Sequence, residues 1–438
     1  MIQEVLIAVG LIVGLVGCLS DPFFGMLTLM GINMIQPGEL YPIFAPFHVE
    51  RVMALLTIVM VFAKGVKFRF PRPSRWSLIF YGATVASVPL AFWVSNAFAN
   101  IQQFAKTIIL SLLLVALAST PRRIRTVLLL FSVLVTYLSA TSLVQYFQGN
   151  FQFRMGVDRA VGLTNASNNP DTLGLTIVTA IPLMFLFTLK TNPSRLRWLM
   201  RGLVVMNLWA LMLTGSRGTV LAMVLTLALT ALVCKKRMLV IPLAAGLCIA
   251  IWAVLPTQYK DRYASVGNLK DDASYQNRLL SWQGGWHMFL DHPLTGVGIG
   301  NYTAANGAKY WPAPRKVYLN AHSIYFQTIG ELGLVGVFAF SGFLVVLFRT
   351  NGELRRSTQA NDPAWRRYYP LACNLSLISM LYTGYAYHDL YRTTWYFLAA
   401  LSGALFLATS TPPAPLAAAP GEAEALPAQP HWAGIGIR

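Results

Sequence analysis

Charge is scarce in this chain of 438 residues: Asp and Glu number 16, Lys and Arg 34, and together they make up 11% of the sequence. A water-soluble protein carries about a quarter. With 55% of residues hydrophobic and a mean hydropathy of +0.54, a soluble globule is excluded. Cysteine is scarcer still. Cys18, Cys234, Cys248 and Cys373 fall within or at the ends of hydrophobic stretches, a placement that suits neither a disulfide framework nor a thiolate metal site. The few carboxylates form no outward cluster, Asp271 and Asp272 being adjacent and unable to face one ion together, and no His or Cys spacing matches a zinc site. No Ser occupies a nucleophile elbow. The opening residues do not read as a cleavable leader. Glu4 stands where basic residues would, and no small-x-small site precedes Asp21-Pro22, so the first segment is expected to stay in the membrane.

What the chain has in abundance is long apolar runs, each near the ~20 residues that cross a bilayer. Candidate spans lie near 2–18, 22–36, 49–63, 76–95, 101–118, 126–147, 172–189, 198–214, 218–234, 238–255, 322–348, 368–387 and 393–409. The first two are short and fit one crossing plus a re-entrant piece. Basic residues gather in alternate connections: Lys64 to Arg75, Arg122 to Arg125, Lys190 to Arg201, Lys235 to Arg237 and Arg349 to Arg367. Short cytoplasmic loops retain such residues, so the net charge of +18 reads as a topology signal and not as a nucleic-acid surface. The sequence predicts an all-α polytopic membrane protein, with one membrane domain over 1–409, an outward segment over 257–321 within it, and a disordered cytoplasmic tail over 410–438, rich in Pro and Ala.

The outward segment holds the densest set of candidate chemical groups: Arg278, Trp282, Trp286, His287, Asp291 and His292, then a glycine-punctuated stretch, then His322 where the chain re-enters the apolar run. Arg278 precedes Trp282 and Phe289 by four and eleven residues, which sets all three on one helical face. The two tryptophans suit the membrane interface, whereas Arg278 offers a planar, permanently charged fork for phosphate oxygens. Gly215 and Gly218 frame Arg217 at a tight outward turn, a cation placed against the usual basic-inside bias. Gly296, Gly298 and Gly300 lack the flanking strand and helix of a dinucleotide fingerprint and read as turn residues returning the chain to the membrane surface. A helix from His322 to Phe348 would run about 40 Å, so its first turn projects outward, and Glu331, nine residues on, would point away from the imidazole. The loop over 148–171 and the turn over 388–392 share this face.

Taken together, Ser216-Arg217-Gly218, the stretch from Arg278 through Trp282 to Asp291-His292-Pro293-Leu294-Thr295-Gly296-Val297-Gly298, and Ala321-His322-Ser323 with Glu331-Leu332-Gly333 resemble the O-antigen ligase family. Arg159, Gly162 and Asn165 are similar to that family's approach to the preceding span, and Ser323 departs from the family's common Asn. The resemblance implies about twelve membrane helices with both termini cytoplasmic, and a fold akin to other lipid-linked glycosyltransferases of the C type. It implies a bacterial inner-membrane enzyme with a periplasmic site that moves a glycan from undecaprenyl pyrophosphate to a sugar hydroxyl of the lipid A core. No metal or other cofactor is called for. His322 would be the general base, Arg217 and Arg278 would neutralise the leaving pyrophosphate, and Arg159, Asn165, Trp282 and Lys106 would bind substrate. The family extends to O-antigen polymerases and protein O-oligosaccharyltransferases, which leaves the acceptor open. A transporter is the alternative of another class, but transporters place ionisable groups at mid-membrane, and here Lys106 and Glu331 are the main such residues.

Overall fold

The computed structural model describes residues 2–154, 156–162, 169–233, 242, 246, 249–264, 273–312, 314 and 316–410. Asn165, the basic group at 235–237, Cys234 and Cys248, most of the candidate span at 238–255 and the tail from 411 lie outside them. The described chain is helical almost throughout: α1 Ile2–Ser20, α2 Pro22–Ile35, α3 Val49–Ala63, α4 Arg72–Ala86, α5 Val94–Leu117, α6 Pro121–Phe147, α7 Pro170–Phe185, α8 Ser194–Leu213, α9 Arg217–Val233, α10 Thr257–Ala264, α11 Ala273–Asp291, α12 Ile324–Arg356, α13 Ala364–Thr383 and α14 Thr393–Ser410. The all-α expectation needs one amendment. Gln152–Arg154 (β1) and Val157–Arg159 (β2) form an antiparallel ribbon with Phe153 opposite Asp158.

Polar caps and N-terminal prolines fix where several helices begin. Asp21, Thr120 and Asn169 each accept a backbone N–H from the first turn, and each is followed by Pro, whose missing N–H costs nothing there. Seven described helices are long and apolar enough to cross a membrane, and three shorter apolar ones, Glu4–Ser20, Pro22–Ile35 and Arg217–Leu232, accompany them. The predicted span at 76–95 is interrupted: α4 stops at Ala86, a non-helical stretch follows, and α5 starts at Val94.

Ion pairs gather the basic loops at one end. Arg72 meets Glu353 at 2.9 Å, Arg125 donates to Asn192 at 2.8 Å, and Arg123 pairs with Asp21 while its guanidinium covers the Phe23 ring. The turn between α1 and α2 therefore sits at the basic end. Glu4, near the start of α1, is close enough to Tyr41 to raise its phenol pKa together with burial, and Tyr41 follows α2 at the opposite end. The chain thus starts opposite the basic loops, whereas α14 runs towards them, bringing Gly403 against Pro71. The first and last described helices thus begin and end at opposite ends of the bundle, while the tail from 411, on which the expected placement of the C-terminus bears, lies outside the described residues.

The glycine stretch after α11 does more than return the chain to the surface. α12 is broken at Gly333 (φ 56, ψ −152), and the turn-rich segment 293–298 supplies partners for the backbone groups the break exposes. Val297 and Gly298 donate to the Gly330 and Glu331 carbonyls at 2.8 and 2.9 Å, while Leu334 and Val335 donate to Pro293 and Leu294. On its other side the same segment meets the interruption between α4 and α5, where Phe92 donates to the Val297 carbonyl at 2.8 Å and Ser87 Oγ accepts from Ile299. Two broken helices and one loop thus satisfy one another. Glu331 completes the junction, accepting from Tyr391 Oη at 2.6 Å and from Gln327.

Candidate functional site

α8 ends at Leu213, and the carbonyls of Met212 to Gly215, at and just past that end, carry its negative pole. Four groups satisfy them. Tyr263 Oη donates to Met212 O at 2.7 Å, Ala160 N to Leu213 O at 2.8 Å, Arg159 Nε to Thr214 O at 2.7 Å and Arg262 Nε to Gly215 O at 2.8 Å. The β-ribbon and α10 are thereby stapled to this helix end, and their two guanidiniums are aimed past it. Gly215 turns with φ +59, and α9 then starts at Arg217, so that cation stands at a helix N-terminus where anions are favoured.

These groups open onto a cavity of about 110 Å³. Arg154, Arg159, Arg217, Arg262 and Arg278 line it, with Asp171 as the carboxylate among the described lining residues. Arg159 is 3% exposed and grips Asp171 at 2.6 Å. Tyr387 Oη lies 2.6 Å from Ser216 Oγ and donates more weakly to Asp171. Five guanidiniums and one described carboxylate line this space, a charge balance that suits an anionic ligand. Removal from water, followed by repulsion from Arg159 and Arg217, lowers the Arg262 pKa to about 10, which still leaves it cationic at neutral pH.

His322 lines the same cavity. It does not open a helix as the sequence predicts. Ser323 is the N-cap, α12 starts at Ile324, and His322 adopts a left-handed backbone (φ 45) that non-glycine residues seldom hold. Its surroundings impose this. Ser281 Oγ donates to Asn320 O and Trp282 Nε1 to Ala321 O, both at 2.9 Å, and Ile324 N donates to Gly384 O at 2.7 Å, so the loop is clamped from α11 and from the end of α13. The clamp presents the imidazole to the arginines and sets it edge to face with His388. Burial first, then His388 and Arg278, push the His322 pKa down to about 3, with Asp171 opposing. The ring is neutral at physiological pH and has a lone pair to accept a proton.

The structure thus brings together Arg159, Arg217, Arg278 and His322 from four separate regions of sequence. It sets the other expected contacts elsewhere. Trp282 is 8% exposed and stacks on Phe326 at 5.3 Å, so it bears on the cavity only through the Ala321 carbonyl it holds, not as an interfacial or substrate-facing ring. Lys106 pairs with Glu50 at 3.0 Å and lines a different cavity. His287 and His292 face outward, and Asp291 is taken up by Lys309 at 2.7 Å and by Tyr310. Arg154, Asp171, Arg262, Tyr387 and His388 escaped the sequence reading. Four of them had only membership of outward segments as a signal, Tyr387 closed the predicted span 368–387, and nothing in a single sequence says that 154, 171, 262 and 387 converge. Among the described residues no three His, Cys, Asp or Glu side chains gather to hold a metal ion.

Residues 202–341 match the family model described as O-antigen ligase, a range that contains Arg217, Arg278 and His322. No curated protein matches the chain.

Proposed function

From the match of residues 202–341 to the O-antigen ligase family model, we propose that this chain is a membrane glycosyltransferase that moves a glycan from undecaprenyl pyrophosphate to a sugar hydroxyl of the lipid A core, at the periplasmic face of the inner membrane and with inversion at the anomeric carbon. The observation that carries this reading is the small cavity in which five arginines surround a neutral imidazole. A diphosphate is the ligand whose charge, size and oxygen-only periphery match that lining, and planar guanidiniums engage its oxygens in pairs.

The chemistry follows from the groups in place. The acceptor O–H gives its proton to His322 as its oxygen attacks the anomeric carbon. The bond from that carbon to the phosphate oxygen breaks, and its electron pair leaves with undecaprenyl pyrophosphate, where Arg217 and Arg278 meet the growing charge. An imidazole with a pKa near 3 is by itself a weak base. Bound pyrophosphate brings negative charge beside it and stabilises the protonated form, so donor binding itself strengthens the base. Arg159, held by Thr214 and Asp171, supplies fixed positive potential and rigidity.

The reading is tested with purified protein, a lipid-linked glycan donor and deacylated or intact core acceptor. Formation of the ligated product with release of undecaprenyl pyrophosphate, undiminished by a chelator, supports it. Extension of the lipid-linked glycan itself, without transfer to core, identifies a polymerase instead, and transfer to a protein hydroxyl a protein O-oligosaccharyltransferase.

A further inference from the structure

A second cavity, larger than the arginine-lined one, lies among the described helices. A groove of about 350 Å³ runs between α2, α5, α6, α7 and α14. Its backbone is a stripe on α5, Asn100, Gln103, Thr107, Leu110 and Leu114, spaced by three and four residues and so aligned on one helical face. From Asn100 to Leu114 the helix rises about 21 Å, and the character of the wall changes along it. Asn33 and Gln36, at and just past the end of α2 away from the basic loops, add their carboxamides to those of Asn100 and Gln103, and Leu110, Leu114, Phe131, Leu138 and Phe397 supply apolar wall. The polar end is the one nearest the outward loops, where Asn100 packs against Gly300.

Charge at this groove is balanced internally. Lys106 is paired with Glu50 at 3.0 Å, and Arg392 with Asp389 at 2.8 Å while also donating to the Thr172 carbonyl and Thr176 Oγ1. Arg51 stands in an adjoining crevice of about 100 Å³ behind Lys106, outside the groove. The contrast with the arginine cavity is sharp, although the two share a wall: Asp171 and Tyr387 line one side, Thr172 and Asp389 the other. The side-chain amides of Asn33, Gln36 and Gln103 are engaged by no hydrogen bond among the described residues. A bare hydrocarbon seated there would leave those donors and acceptors unmet, at a cost in binding, whereas hydroxyl groups answer both.

We propose that this groove binds an uncharged single-chain amphiphile, a hydrocarbon chain bearing a hydroxylated sugar head, with the head against Asn33, Gln36 and Gln103 and the chain descending towards Leu114. The site is distinct from the diphosphate cavity and does not rest on the transfer reaction assigned above.

The test uses the full-length protein in lipid nanodiscs and decyl β-maltoside carrying a photoreactive diazirine in its chain. Saturable labelling is expected within 100–114 and 393–397, suppressed by excess decyl maltoside and not by decyl phosphate. Gln103→Leu should weaken labelling about tenfold, the worth of one lost hydrogen bond. Leu110→Trp, which fills the groove, should abolish labelling, with thermal unfolding checked to show that the variant is folded. Equal suppression by decyl phosphate would make this an anionic-lipid site and overturn the proposal. So would labelling that maps elsewhere, that does not saturate, or that is indifferent to Gln103→Leu. Because no turnover is measured, failure here leaves the proposed transfer standing, and failure of transfer leaves the groove standing.

Discussion

His322 and His388 meet edge to face, their ring centroids 5.3 Å apart and their planes at 87°. Both rings are held neutral: burial lowers each pKa from the ordinary 6.5, His322 to about 3. Free enzyme and donor complex should therefore titrate differently. We expect kcat/KM for the donor to show no acid limb attributable to His322 down to about pH 4, and kcat, which reports the donor complex, to fall at a higher pH because pyrophosphate restores basicity. The same depression has a sign for stability. The unfolded imidazole takes a proton below about pH 6.5 that the folded one refuses, so stability is full above that value and declines as pH falls towards 3. Coincident acid limbs in the two rate profiles would show that the donor does not act on this base.

His322→Ala should fold, insert and bind the donor through the arginines, yet transfer glycan at least ~10²-fold more slowly, the usual contribution of a positioned base. Equilibrium binding of labelled donor, set beside single-turnover rates, separates the two effects. If donor binding is lost while bound enzyme still turns over, the imidazole is a phosphate ligand instead.

For Arg217 and Arg278, Lys should be a poor replacement, because a point charge cannot span two phosphate oxygens. Each substitution is expected to lower kcat by about 10² to 10³. Trp282→Phe, by contrast, keeps the stacking on Phe326 and removes only the hydrogen bond to Ala321 O, so its loss should be smaller and should come from a displaced His322 loop. Rates for the three variants, measured under saturating donor, decide the order.

At the junction of loop and broken helix, Gly333 and Gly296 both have positive φ, and a Cβ there would come within 2.6 Å of Leu294 and Pro293 backbone atoms or 2.3 Å of Glu331. Either Gly→Ala change should lower stability by about 3 kcal/mol or more, since backbone on both sides has nowhere to move. Gly202, in α8, has nothing within 4 Å, and Gly202→Ala should leave stability unchanged or slightly raised. Thermal unfolding of the detergent-solubilised proteins compares them directly.

Topology is open to a labelling test. A Cys at Lys316, exposed on the face that bears the cavity, should react with a membrane-impermeant thiol reagent in cells with permeabilised outer membranes, and a Cys at Ser357, at the basic end, should not. The opposite pattern would invert the orientation and place the arginine cavity in the cytoplasm.

The sequence by itself determined the class of molecule and four of the cavity's groups, Arg159 among them through the family resemblance. Apolar runs of membrane-spanning length have few other stable fates, alternate basic loops report orientation through local charge, and Arg217, Arg278 and His322 stood out because polar groups are rare in so apolar a chain. Only the tertiary structure decided the rest. The ribbon that carries Arg154 and Arg159 is three residues per strand, too short for an alternation signal. The break at Gly333 is invisible to a hydropathy pattern that runs on unbroken, because its backbone groups find their partners in a loop more than thirty residues earlier. Asp171, Arg262 and His388 join the site through hydrogen bonds and packing between elements far apart in the chain, and Trp282, which composition suggested as an interfacial ring, is drawn inward by Phe326 and the Ala321 carbonyl. Periodicity records which face of a helix avoids water; what that face meets is settled only when the other helices arrive.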